Sequence, residues 1–260
     1  MLFRSRVSRA PVPLWAALCF LLSGAAGLVH EIAWSKQLGY LLGSSLHAMA
    51  TVTAAFLAGL ALGAHRLGPR LVANGEPTRR YAGLEAAVAV IGLVMIPLLR
   101  ALDGPVGLLW RSCGGEGAGF ATLRVALVFV ILVPPAALMG ATLPVLVARC
   151  ERGVLGAGLA ALYAINTFGA VLGSLAAGFV LLPGLGLWSS TLVASGLNLI
   201  AAGIAWFVPR DTAPAQVLTA VAPSEPPRLA APMARVGMGL AFALSGFAAL
   251  ALQQIGRAHV

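Results

Sequence analysis

The positive charges of this chain fall almost wholly into alternate gaps between long apolar runs, and that sorting constrains the fold more than any other feature. The runs span about 13–33, 41–64, 82–102, 121–148, 155–182 and 187–208, and a seventh starts near Val236. Each reaches the roughly 20 residues that a helix needs to cross a hydrocarbon layer of ~30 Å. With the N-terminus on the cytoplasmic side, the inner segments hold Arg4, Arg6, Arg9, Arg66, Arg70, Arg79, Arg80, Arg149, Arg152, Arg210, Arg228 and Arg235. The outer gaps and their flanks hold only Lys36, Arg100, Arg111 and Arg124. Such a bias in short loops orients a helical bundle with its positive side in the cytoplasm. The expected architecture is an all-α, polytopic transmembrane bundle of six helices plus the start of a seventh. Its expected place is a bacterial inner membrane, with lipid as the main partner.

Composition supports this reading independently. A chain that is 60% hydrophobic and 10% charged cannot cover itself with polar surface. The formal charge of +9 does not imply a nucleic-acid partner, because the arginines flank loops instead of clustering with aromatics on one face. Cys19, Cys113 and Cys150 are scattered and form neither a metal-ligand nor a disulfide pattern. No metal and no cofactor is expected in this stretch. The first run continues past the small residues Ala25 and Ala26, so it reads as an uncleaved helix and not as a signal peptide.

The expected organisation is a cytoplasmic N-terminus at 1–12, a six-helix module at 13–208 and a Pro-rich cytoplasmic linker at 209–233. Residues 234–254 then start a second repeat. There Leu244-Ser245-Gly246-Phe247-Ala248-Ala249-Leu250 echoes Leu22-Ser23-Gly24-Ala25-Ala26-Gly27-Leu28. Duplicated six-helix halves are a plan of secondary transporters. Residues 255–260 back-translate as ATC GGA AGA GCA CAC GTC, the sequence of a sequencing-library adapter, and are expected to be foreign to the protein. A C-terminal half and a further domain are therefore expected beyond Gln254.

Polar groups at membrane depth each need a reason, since a charge at the bilayer centre costs about 2.5–3.5 kcal/mol on insertion scales. Glu31 follows His30 near the outer end of the first helix, on one face with Trp34 and Leu38. It is either an interfacial carboxylate paired with Lys36 or a neighbouring helix, or a titratable group facing an aqueous cavity. Glu85 is expected in the first turn of the third helix, where the dipole favours an acidic residue. His47 reads as an interior histidine or a ligand, Asn198 as packing glue, and Asn166 with Thr167 as an interhelical hydrogen-bonding pair or a pathway lining. Gly59 with Gly63, Gly169 with Gly173, and Ser174 with Gly178 are spaced for close backbone approach. Pro134, Pro135 and Pro144 are expected to break the fourth helix, as a kink or as cavity-lining backbone. Gly114-Gly115-Glu116-Gly117 reads as a flexible loop, because no strand precedes it.

A run of motifs resembles the bacterial fused major-facilitator/spermidine-synthase-like membrane proteins. It comprises Leu22-Ser23-Gly24, Glu31 with Trp34, Gly43-Ser44-Ser45 and Phe56 with Gly59 and Gly63. Further along come Pro135 with Met139-Gly140-Ala141-Thr142-Leu143-Pro144, Tyr163 with Asn166-Thr167, Gly169-Ala170 and Gly173, and Gly178-Phe179 leading to Pro183 and Gly186. The resemblance spans 15–208 and again 240–254. It implies a major-facilitator-like half joined to a cytoplasmic aminopropyltransferase-like domain of Rossmann type, which would bind decarboxylated S-adenosylmethionine and a polyamine. No motif of that domain lies in this chain, so no catalytic residue is carried over. His65 stands where major-facilitator transporters carry an aspartate in the loop between helices two and three. Three readings stay open: a transporter-like bundle for polyamines or small cations, a membrane anchor for the enzyme, or half a bundle with no activity of its own.

Overall fold

The computed structural model describes residues 12–42, 46–73, 76–112, 118–150 and 157–209. The N-terminal arginines, the glycine loop at 114–117, the linker from 210 onward, the seventh span and the last six residues lie outside them.

Every regular element among the described residues is helical. The order is α1 (Leu14–Leu42), α2 (Leu46–Leu62), a π-helical turn (Gly63–Leu67), α3 (Gly68–Ala73), α4 (Pro77–Ala101), α5 (Asp103–Ser112), α6 (Ala118–Cys150), α7 (Ala157–Ala176), a second π-helical turn (Ala177–Leu181) and α8 (Leu182–Phe207). Among the described residues, five stretches are long and apolar enough to cross a membrane, the last of them 50 residues from Gly158 to Phe207. At 1.5 Å per residue that stretch would run about 75 Å if it were straight.

It is not straight. The backbone leaves the helical region at Gly186, with φ 74° and ψ 179°. That region is essentially reserved for glycine, since any Cβ is strained there. The packing on α1 shows a reversal at this point. Gly169 sits on the Leu21 backbone and Gly173 on Ala25, so α7 runs parallel to α1. The Cys19 thiol instead reaches Ala201 O at 3.5 Å, and Ala26 and Val29 cluster with Ala194, so α8 runs antiparallel. The fifth and sixth apolar runs are thus two helices that fold back at Gly186.

The same alternation holds elsewhere. One core joins Trp34 and Leu38 of α1, Val52 and Phe56 of α2, Ile96 and Leu99 of α4, and Val128 and Leu132 of α6. These are the late halves of α1 and α4 and the early halves of α2 and α6, so successive long helices run in opposite directions. At the other end Arg79 lies over the Trp206 ring, 4.1 Å from its centroid, and Arg149 faces Trp15 at 5.8 Å. Both distances lie within the range of cation–π attraction.

Three sequence expectations are corrected. The prolines do not break the fourth helix: α6 is continuous from Ala118 to Cys150, with Pro134, Pro135 and Pro144 inside it. The stretch between them does line a cavity, with Met139, Gly140, Thr142 and Leu143 in its wall, and α6 lies backbone-to-backbone on the α2–α3 segment. Gly63 meets Ala137 O, Gly140 meets Leu60 O, and Gly68 meets the Pro144 ring. The helix that carries Glu85 begins at Pro77, with proline in the first turn where its missing N–H costs nothing. Glu85 is therefore in the third turn and not the first. Gly178, expected to pair with Ser174 at a helix contact, has nothing within 4 Å of where a Cβ would stand.

Between α4 and α6 the chain forms the short helix α5, where a loop was expected. Asp103 in its first turn and Arg111 in its last both complement its dipole.

Candidate functional site: a buried carboxyl in an interhelical cavity

Glu85 is 1% exposed. It projects from α4 into a cavity of about 250 Å³ enclosed by α1, α2, α4, α6, α7 and α8. Ser23, Thr142, Asn166 and Asn198 supply the other polar lining, and Phe20, Phe56 and Val88 belong to its apolar wall. The carboxyl is held from α8, where Asn198 Nδ2 donates to Glu85 Oε2 at 2.6 Å. The remaining acceptors, Glu85 Oε1 and Asn198 Oδ1, are buried without a hydrogen-bond partner. Two neighbouring hydroxyls are already committed. The Tyr81 hydroxyl gives its proton to Cys19 O at 3.2 Å, and Thr142 Oγ1 gives its own to Met139 O at 2.7 Å.

Two turns further along α4, Gly92 creates a second polar pocket. A Cβ there would fall on the His30 ring and lie 2.7 Å from Ser195 Oγ. His30 is fully buried and stacked on Trp34, with ring centroids 5.0 Å apart. Both of its ring nitrogens, and Ser195 Oγ, lack partners. Helical spacing explains the alignment: Ser23 and His30, and Glu85 and Gly92, are each seven residues apart, while Ser195 and Asn198 are three apart. Each pair lies on one helix face. A polar column thus runs along the seam of α1, α4 and α8.

The structure separates the sequence candidates. Glu85, Asn166 and, along the column, His30 come together. Asn166 lines the cavity, and its backbone and Oδ1 lie against Gly24. Glu31 is half-buried on α1 and is not part of the cavity lining. Thr167 is exposed and bonds back to Tyr163 O at 2.8 Å. His47 lies on α2, and its side chain is outside the described residues. Gly59 lies against Ala136 and Val133 of α6, so it serves packing. His65 is exposed in the first π-helical turn. Sequence reasoning undervalued Asn198 and missed Ser23, Ser195 and Gly92. Ser23 and Gly92 were signalled by the heptad spacing from His30 and Glu85, and Ser195 by its place three residues before Asn198. Among the described residues, no group of three or more His, Cys, Asp or Glu is placed to hold a metal ion.

No protein-family model matches the chain, and no solved structure does. It is similar to proteins named polyamine aminopropyltransferase. The relative from Corynebacterium efficiens is 30% identical over 204 residues, covering 76% of this chain and 35% of that protein. Polyamine aminopropyltransferase 2 of Streptomyces coelicolor is 31% identical over 179 residues, with 68% and 30% covered. The Mycobacterium tuberculosis polyamine aminopropyltransferase is 31% identical over 186 residues, with 69% and 33% covered. The chain spans about a third of the length of these relatives.

Proposed function

We propose that this chain is a membrane-embedded helical module of a polyamine-related protein, built like half of a transporter, with its N-terminus and the end of α8 on the cytoplasmic side. One observation carries the reading, which is that large apolar side chains face outward while a carboxyl is buried. Phe207 is 85% exposed, Phe179 79% and Val130 71%, while the Glu85 carboxyl is sealed inside. Large apolar side chains face outward along α2, α4, α6, α7 and α8. A surface of that kind is stable in hydrocarbon and marks an interaction face in water. The pairing of Arg79 with Trp206 and Arg149 with Trp15 fits an interfacial belt on the basic side.

The test is topological. Protease-sensitive tags placed before Met1 and after Arg210 should both be shielded in intact cells, and the protein should stay with membranes after alkaline extraction. Digestion of either tag, or release of the protein in soluble form, overturns the reading.

The second reading is a plain anchor for an aminopropyltransferase-like domain, and it draws on the names of the relatives. The enclosed carboxyl favours the transporter-like alternative, because an anchor has no use for an ionisable group in its interior.

A further inference from the structure

We infer that the Glu85 cavity is a binding site for a primary alkylammonium group, with Glu85 Oε1 and Asn198 Oδ1 as the acceptors that take its N–H donors. The proposal deepens the membrane-module reading by assigning a ligand chemistry to its cavity, and it is tested without reference to topology.

Three features of the cavity select this ligand. The first is the direction of its hydrogen bonding. One N–H of Asn198 and the hydroxyls of Tyr81 and Thr142 donate within the protein, whereas Glu85 Oε1 and Asn198 Oδ1 are buried acceptors without a hydrogen-bond partner. A buried polar atom left unpaired costs about 1–3 kcal/mol, so an occupant is favoured if it brings donors and no acceptors. An ammonium group has three donors and no acceptor.

The second feature is charge. A carboxylate away from water is costly unless paired. Arg79, on the same helix, is turned to the Trp206 ring. A cationic occupant supplies the missing counter-charge.

The third is the rest of the wall. Phe56, Leu60, Val88 and Met139 line the same space, a surface suited to methylene groups and unsuited to a hydrated metal ion. The cavity volume of about 250 Å³ admits an alkyl chain behind the ammonium head. Gly27 keeps the space open, since nothing lies within 4 Å of its would-be Cβ.

The experiment uses the purified full chain in detergent, with isothermal titration of 1,4-diaminobutane, tetramethylammonium chloride and sodium chloride. The diamine should bind, while tetramethylammonium, which has the charge but no N–H, and sodium should neither bind nor displace it. Glu85→Gln should weaken diamine binding at least tenfold. Gly27→Leu should abolish binding by filling the cavity while Glu85 stays in place, and Thr167→Ala, outside the cavity, should leave it unchanged. Circular dichroism checks that each variant keeps its helix content. Absence of diamine binding by the unaltered chain overturns the proposal, and this result is available even if a variant fails to fold. Equal binding of tetramethylammonium or sodium, or unchanged binding by folded Glu85→Gln or Gly27→Leu, overturns it as well. A chain that binds diamine yet fails the tag-protection test leaves this site standing and removes the membrane reading.

Discussion

At Gly92 the absence of one carbon decides how three helices meet. The His30 ring from α1 and the Ser195 hydroxyl from α8 both occupy space that a side chain on α4 would fill. Gly92→Ala should therefore destabilise the module by about 1–3 kcal/mol, the usual cost of overpacking a filled interior. The readout is the thermal midpoint in detergent, compared with Gly83→Ala on the same helix, where a Cβ has open space and should be tolerated. An equal response of the two variants would show that the helix, and not the His30 contact, sets the cost. At this scale the sequence was a partial guide. It offered Glu31 and Glu85 as carboxyls in apolar helices and put Glu31 first, because the partner that distinguishes Glu85 is 113 residues away. Asn198 looked like one more polar residue in a span until α8 was laid on α4. The depth of Glu85 was also misjudged, since a helix start five residues earlier moves it from the first turn to the third.

At the scale of elements, glycines perform two different tasks. Those in α2, α6 and α7 remove side chains so that backbones touch, as Gly63 and Gly140 do across the α2–α6 seam and Gly173 does on α1. That spacing was visible in the sequence, because close approach needs small residues one turn apart. Gly186 is different: its backbone conformation is what allows the chain to reverse between α7 and α8. Gly186→Ala has ample room for its methyl group, so any loss must come from the backbone itself. A destabilisation of about 1–3 kcal/mol is expected from holding a non-glycine residue in that region. Chemical unfolding in detergent measures it, and a neutral result would mean that the reversal relaxes to an ordinary conformation. The continuity of α6 was not legible. Three prolines in one helix signal a break by propensity, yet α6 is continuous and packs closely on α2 and α3.

At the scale of the whole molecule, the carrier and anchor readings differ in whether the proposed diamine site passes its ligand across a bilayer. Reconstituted vesicles loaded with radiolabelled diamine address it directly. A carrier shows flux through the full chain that Glu85→Gln abolishes and Glu31→Gln leaves intact, because Glu31 does not line the cavity. An anchor shows no flux in any variant, and that outcome would restrict the module to binding and tethering.

The sequence by itself determined the helical class, the direction of each long helix and the end at which the basic residues gather. These follow from the lengths of the apolar runs and the placement of charges between them, both of which are local properties of the chain. Tertiary structure alone decided which carboxyl is enclosed, which amide holds it and where the cavity opens between helices. Those depend on the rotation of each helix about its own axis, and backbone contacts between helices far apart in sequence fix that rotation.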